Sequence, residues 1–323
     1  MRNEICPLFE AYSRHEIHHE LSASGIQGAH SFIREINSEY DQKITLDHWL
    51  RPLAPLDDYR FHVTIDGEPL WVLMERLPWD SEFFSMQIAR LNMIVRPGSA
   101  FRPRESSQPA IKALQTALEH ARRTGIEYVF THVSAQDTHT IRTLCGSGFD
   151  LIETRVHYHS AISPARERYP SRLATESDIS SLAHTARIMV NPFDRFHSDP
   201  EISESLADKM MEKWVEASIR DGFADATIVP DEPSPEAFFT LKTHKEHWSG
   251  WGLKLTQPVL SAVAPRHKGW YMKLISEANE LFRAQGAQHS LVTTQLTNNA
   301  AIRSLEKLGY RFGKGEHVFR KKI

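Results

Sequence analysis

Gly286–Tyr310 reads GAQHSLVTTQLTNNAAIRSLEKLGY, and Gly125–Phe149 reads GIEYVFTHVSAQDTHTIRTLCGSGF. The two stretches align without a gap at a constant offset of 161 residues. Gly125, Ile141, Arg142, Leu144 and Gly148 recur as Gly286, Ile302, Arg303, Leu305 and Gly309, and Asp137 becomes Asn298. Each stretch opens with a glycine that ends a helix and continues through a β-rich run, Tyr128–Val133 or Ser290–Thr294. Asp or Asn, both suited to a helix N-cap, then starts an amphipathic helix with Ile141 and Leu144, or Ile302 and Leu305, on one face. Glycine followed by an aromatic closes each copy. Upstream, Ala110, Ile111, Leu114, Ala117 and Ala121 have helical spacing, as do Tyr271, Leu274, Ile275, Ala278 and Phe282. Helix, strand and helix in one shared register predict a duplicated α/β unit.

Outward from the repeat, 323 residues suit two domains. Residues 1–50 read as a helical extension, 51–165 as the first domain and 170–323 as the second, with a joint near Ser160–Arg172 (SAISPARERYPSR). Hydrophobic content of 41% beside 24% charge is that of a packed globular protein, and a net charge of −3 gives no reason to expect a nucleic-acid partner. Eighteen histidines scatter without metal-ligand spacing, so no metal is expected. The two cysteines, Cys6 and Cys145, make no disulfide framework and point to a reducing compartment. No run of 18 apolar residues exists and the N-terminus lacks a signal-peptide core, so the expectation is a cytoplasmic protein with no membrane partner. His317–Phe319 reads as an edge strand able to pair between subunits of a homodimer.

The copies differ in one loop. Val259–Tyr271, VLSAVAPRHKGWY, reads as a strand over Val259–Val263, a tight basic loop over Arg266–Gly269 and a helix N-terminus. Unpaired N–H groups and the positive end of the macrodipole converge at such a start, an arrangement suited to a diphosphate. Glycine permits close approach, and Arg266 and Lys268 add charge. The equivalent of Gly269 in the first copy is Gln108, in a loop reading RESSQ. One copy therefore keeps the anion-binding loop and the other has lost it.

Leu260–Tyr310 resembles the GNAT superfamily of coenzyme-A-dependent N-acyltransferases. Arg266-His267-Lys268-Gly269-Trp270-Tyr271 is similar to the family loop R/Q-x-x-G-x-G/A, with Tyr271 in place of the last small residue. Asn298–Tyr310, NNAAIRSLEKLGY, is similar to N-x-x-A-I-x-x-Y-E-K-x-G-F, with Leu305 where the family often carries the tyrosine that protonates the leaving thiolate. The resemblance implies an α/β fold with a mixed sheet, two tandem GNAT-like domains of which the first is degenerate, and acetyl-CoA as co-substrate. It implies that Leu260, Ser261, Ala262 and Val263 offer backbone groups to pantetheine, and that Arg266, His267, Lys268, Gly269, Trp270 and Tyr271 surround the diphosphate. Leu77–Leu91 (LPWDSEFFSMQIARL), Asn191–Pro200 (NPFDRFHSDP) and Thr294-Gln295 look like segments of the dTDP-fucosamine acetyltransferase type. That likeness implies acetylation of the amine of a nucleotide-linked amino sugar for surface polysaccharide.

Loss of the tyrosine at 305 removes a general acid worth about 10²–10⁴-fold, slowing the reaction without abolishing it. Candidate bases are Asp199 and His244, each with a plainer reading: Asp before Pro forms turns, and a lone His is often only solvated. Arg195 either holds a substrate phosphate or makes a surface ion pair, and Gln295 is a candidate acceptor contact. Asn298 either bonds CoA or caps its helix. Alternatives are another small-molecule amine, a peptide, antibiotic or polyamine, or a CoA-binding module without transfer activity.

Overall fold

The computed structural model describes residues 4–323. In chain order the first elements are β1 (Glu4–Pro7), α1 (Leu8–Ala11), α2 (Arg14–Ala23), α3 (Ser38–Trp49), β2 (Asp58–Ile65), β3 (Glu68–Arg76) and α4 (Pro78–Phe84). Next come β4 (Ile88–Val95), α5 (Gln108–Arg123), β5 (Tyr128–Ser134), α6 (Thr138–Gly146) and β6 (Asp150–Ala161). The later part contains β7 (Ser171–Leu173), α7 (Ile179–Ile188), α8 (Glu204–Arg220), β8 (Ala226–Pro230), β9 (Ala237–Lys242) and α9 (Trp248–Trp251). It ends with β10 (Leu255–Val263), α10 (Trp270–Ala284), β11 (His289–Gln295), α11 (Asn299–Lys307) and β12 (Arg311–Lys322). The mixed α/β class expected from the repeat is observed.

The chain divides into two compact units. The first takes the chain up to Ser31, Ser38–Glu153 and Gly315–Ile323. Its strands run β1-β2-β3-β4-β5-β12, antiparallel except for β4 and β5. One face carries α5, whose buried stripe Ala110, Ile111, Leu114, Ala117 and Ala121 is the helical spacing seen in the sequence. The opposite face is covered by the N-terminal helices, with Ile17, Leu21, Leu46 and Leu50 packed on Trp71, Leu73 and Val95. Residues 1–50 are therefore more than the expected helical extension, because β1 adds a strand beside β2.

The second unit takes Phe32–Asn37 and Thr154–Lys314. Its strands run β6-β11-β10-β9-β8-β7. Ala237, Phe239 and Leu241 join the core beneath α10. The alternate Phe238, also fully buried, points to the other face, where α7 and α8 pack. Phe32 enters through a glycine slot, since a Cβ at Gly313 would meet its ring at 2.3 Å.

Two expectations change here. The units do not follow 51–165 and 170–323, because each copy's closing strand serves the other sheet. Residues 316–322 of β12 pair with β5 and place Phe319 in the first core. Residues 155–161 of β6 pair with β11 and place Val156 and Tyr158 in the second core. For the same reason His317–Phe319 is not a free edge: its backbone is taken up by Val133–Thr131 of β5.

The duplication is visible in the element boundaries. β5, α6 and β6 at 128–134, 138–146 and 150–161 map onto β11, α11 and β12 at 289–295, 299–307 and 311–322 with the offset of 161.

Candidate functional site

In the second unit β10 and β11 begin as parallel neighbours and then part. They pair only at Leu255↔His289 and Thr256↔Ser290. The Lys254 carbonyl accepts the His289 amide at 3.2 Å, so backbone groups of 254, 256 and 258 turn toward β11. Residue 258 is proline, which has no N–H to continue the ladder. A bulge follows at once: the register against β9 passes from Pro258↔Leu241 to Ser261↔Phe239, leaving Val259 and Leu260 opposite Thr240. The Leu260 amide is taken by Thr240 Oγ1 at 3.0 Å. Beyond the bulge the Ala264 amide donates to the Glu236 carbonyl at 2.9 Å. By alternation Ala262 faces β9, while Ser261 and Val263 face the gap between the diverging strands. Of the four strand residues expected to contact pantetheine, two thus present backbone groups to the gap.

The gap leads to the turn at 264–269. Pro265–His267 forms a single 3₁₀ turn, and Gly269 opens α10 with φ +92 and no side-chain cap. A Cβ at Gly269 would meet nothing within 4 Å, so the space above the turn is open. The first amides of α10 are left for a partner from outside the helix. Side chains of the loop divide the work. Arg266 is paired with Glu236 at 2.7 Å and with Glu232 at 3.5 Å, and His267 Nε2 lies 2.6 Å from Glu232. These two tie the turn to the segment joining β8 and β9, whereas Lys268 is exposed and makes no ion pair among the described residues. Trp270 lies under Lys273, whose ammonium is 5.0 Å from its ring centre. Tyr271 turns inward, its ring 5.0 Å from Phe239, and burial raises its phenol pKa. It therefore turns away from the open space above the turn, where the resemblance placed it among the residues around the diphosphate.

The first unit has the same strand geometry with a different loop. β4 and β5 pair in parallel at Ile88–Arg90, and a bulge falls at Asn92. The offset for these strands is 255 − 88 = 167, against 161 downstream, so six residues separate the two loops in length. The longer loop, 96–107, is packed down. Phe101 stacks on His139 at 4.0 Å, and Arg142 donates to the carbonyls of Pro103 and Glu105 at 2.8 and 3.1 Å. Glu105 also holds Arg96. The position of His139 is Ala300 in the second unit, where no such plug exists.

The acceptor-side candidates lie on separate elements. In the loop before α8, Asp194 accepts the amides of Phe196 and His197 at 2.8 and 3.1 Å. His197 is buried between Asp194 and Asp208, and the hydrogen bond to Asp194 raises its pKa. Arg195 lies over Phe196, 4.2 Å from its ring centre. Asn191 donates to Gln295 Oε1 at 3.0 Å, bringing Gln295 to this loop. Asp199 is buried and accepts the Glu201 amide at 3.0 Å, which is the turn-forming reading. His244 follows β9 at φ +50 with Nε2 3.2 Å from Gln257 Oε1. Gln257 is three residues before Leu260, about 10 Å along the strand at ~3.3 Å per residue and away from the glycine turn. Asn298 caps α11, accepting the Ala301 amide at 3.2 Å and donating to Thr294 Oγ1 at 3.2 Å. Leu305 is fully buried.

Sequence reasoning overlooked Pro258 and Thr240. A proline inside a β-branched run was the available signal, since proline in a strand marks an edge or bulge. Among the described residues no group of three or more His, Cys, Asp or Glu can hold a metal, and no helix is long and apolar enough to cross a membrane.

No protein-family model matches the sequence, and no curated protein does. Solved structures do. A GCN5-related N-acetyltransferase from Sphaerobacter thermophilus aligns over 87% of this chain and 85% of its own, with TM-score 0.56 and 12% identity. A tandem GNAT protein from the clavulanic acid biosynthesis pathway aligns over 99% and 98%, with TM-score 0.54 and 14% identity. A GCN5-related glucosamine N-acetyltransferase region of a fungal multi-domain GH3 β-N-acetylglucosaminidase aligns over 99% of this chain and 38% of its own, with TM-score 0.63 and 12% identity. At these identities the likeness is one of fold, and the fold is that of two GNAT-type domains in tandem.

Proposed function

We propose that the second unit is an acetyl-CoA-dependent N-acetyltransferase acting on the amine of a small molecule, a nucleotide-linked amino sugar destined for surface polysaccharide, in the cytoplasm. The observation that carries this reading is the pairing of an open glycine turn at 264–269 with strands that part at Pro258. The donor set suits a diphosphate and a pantetheine arm: uncapped amides at the start of α10, the unpaired Lys268 ammonium, and the Ser261 and Val263 backbone facing the gap. Acetyl-CoA supplies the activated acyl group. The chain's own contribution is to order two reactants and to aim fixed N–H donors at the carbonyl oxygen, effects worth several kcal/mol each. The fungal structure described as a glucosamine N-acetyltransferase region supports an amino-sugar acceptor, and Gln295, held by Asn191 where β11 ends, is the candidate contact to it.

The test is thiol release from acetyl-CoA with a panel of nucleotide-linked amino sugars, peptides and polyamines, alongside calorimetric titration with CoA. Release selective for the amino sugars, with CoA bound in the micromolar range or tighter, is expected. CoA binding without release for any amine would leave a binding module and sink the enzyme reading.

A further inference from the structure

Two lysines beside the start of α10 keep their charge uncompensated. The arginines that border this helix are neutralised: Arg266 by Glu236 and Glu232, Arg168 by Glu277, and Arg283 by Glu280. Lys268, in the glycine turn, and Lys273, in the first turn of the helix, make no ion pair among the described residues. On a helix the natural partner of Lys273 is Glu277, four residues on. That carboxylate is taken by the linker before β7, accepting from the Arg168 guanidinium at 2.8 Å and the Tyr169 amide at 2.7 Å. Lys273 lies instead between two rings, its ammonium 5.0 Å from the centre of Trp270 and 5.2 Å from that of Tyr169. Aromatic faces attract and hold an ammonium but carry no net charge to cancel it. The first copy shows the ordinary alternative. Lys112, the equivalent of Lys273 at the offset of 161, pairs with Asp66 at 3.0 Å.

The position of this charge gives it a use. Trp270 is the first residue of α10, and its amide is among those assigned to the diphosphate. Lys273 therefore stands on the flank of that same turn, half-buried and open to solvent on the side of the linker. The Tyr169 ring beneath it is itself fixed, its hydroxyl donating to Glu167 at 2.7 Å. One free ammonium, Lys268, suits a diphosphate on the turn. A second, held beside the first residue of the helix, suits a second phosphate joined to the diphosphate through a ribose, and CoA carries such a group on its 3′ carbon.

Building on the acetyltransferase reading, we propose that Lys273, held by Trp270 and Tyr169, binds the 3′-phosphate of CoA and selects the cofactor against nucleotide thiols that lack it. A phosphate monoester carries close to two negative charges at neutral pH and offers three acceptor oxygens. The lysine ammonium meets it as a compact point charge with three donors. Trp270 and Tyr169 are the positioning residues: they fix the ammonium without neutralising it, so the charge is in place before the ligand arrives and little side-chain freedom is lost on binding.

The test is calorimetric titration of the full chain, at low salt, with CoA and with dephospho-CoA, which differ only in this phosphate. Wild type should bind CoA about 10-fold more tightly or better, as for one charge-assisted contact, and the preference should shrink as salt rises. Lys273→Met keeps the apolar stem against both rings and removes the charge. It should bind the two ligands alike, at the affinity wild type has for dephospho-CoA, while Lys273→Arg should retain most of the preference. Lys268→Met should weaken both ligands by the same factor, because that ammonium serves the diphosphate. Equal binding of the two ligands by wild type, or an undiminished preference in Lys273→Met, overturns the proposal while leaving the acetyltransferase reading intact. Binding of neither ligand by wild type removes both.

Discussion

Gly269 holds φ +92 above open space, so a side chain there meets no protein atom but forces a strained backbone. That strain is worth about 1–2 kcal/mol for an L-residue. Gly269→Ala should therefore lower the melting temperature by only a few degrees. In the proposed placement the added methyl stands where a diphosphate approaches the α10 amides, so CoA affinity should fall about 10-fold or more, and Gly269→Glu should lose it further by charge repulsion. Calorimetric titration checks both, and wild-type affinity in the Glu variant would count against the placement. A second residue gives a pH signature. His289 is buried with its Nε2 2.9 Å from His159 Nδ1, and burial, then the neighbouring imidazole, lowers its pKa to about 4. The unfolded chain takes up this proton near pH 6.5, and the native chain only near 4. Native stability should fall as pH drops from 6.5 to 4, by up to about 3 kcal/mol at 1.36 per pH unit. Urea unfolding at pH 7 and 4.5 should show His289→Gln less sensitive than wild type over that window.

Among the elements, those set by local chemistry could be foreseen and those set by pairing could not. The capped helix at Asn298, the buried strand at 290–294 and the glycine turn at 266–269 carry their causes within a few residues, and they stand where the repeat placed them. β10 begins four residues earlier than its expected start at Val259, because Leu255 and Thr256 become strand only by pairing with β11. β1 escaped notice because four residues of EICP have no period of their own and are strand only beside β2. Asp199 and His244 are candidates by residue type and neighbouring sequence, and neither says where a side chain's bonds go. The loop at 96–107 has a further consequence. Its Phe101, Arg142 and Glu105 contacts occupy the approach to α5, so the first unit should not take up CoA. Titration should give one CoA per chain. A stoichiometry of two, or residual tight binding in Gly269→Glu, would show the first loop opening.

At the scale of the whole chain, the exchanged strands decide what can be cut. A segment chosen from the repeat, 170–323, looks self-sufficient because it holds the glycine turn and everything downstream. It lacks Arg155–Ala161, which lie beside His289–Gln295 in the second sheet. Without them β11 presents unpaired N–H and C=O groups along the strand that ends at the candidate site, and Val156 and Tyr158 leave the core. Seven ladder residues and two core side chains are a large fraction of the ~5–15 kcal/mol that holds a domain together. The reciprocal cut, removal of 315–323, takes Phe319 and the partner of β5 from the first unit although the lost residues belong to the second copy. Segment 170–323 should be aggregated or rapidly proteolysed when expressed alone. A segment starting at 150 should fare better by restoring β6. Truncation after Lys314 should first raise amide exchange in β5, at Tyr128–Ser134, with the glycine turn less affected. Exchange measured by mass spectrometry on the truncated chain checks this, and unchanged protection of β5 would mean that the C-terminal strand contributes nothing to the first sheet.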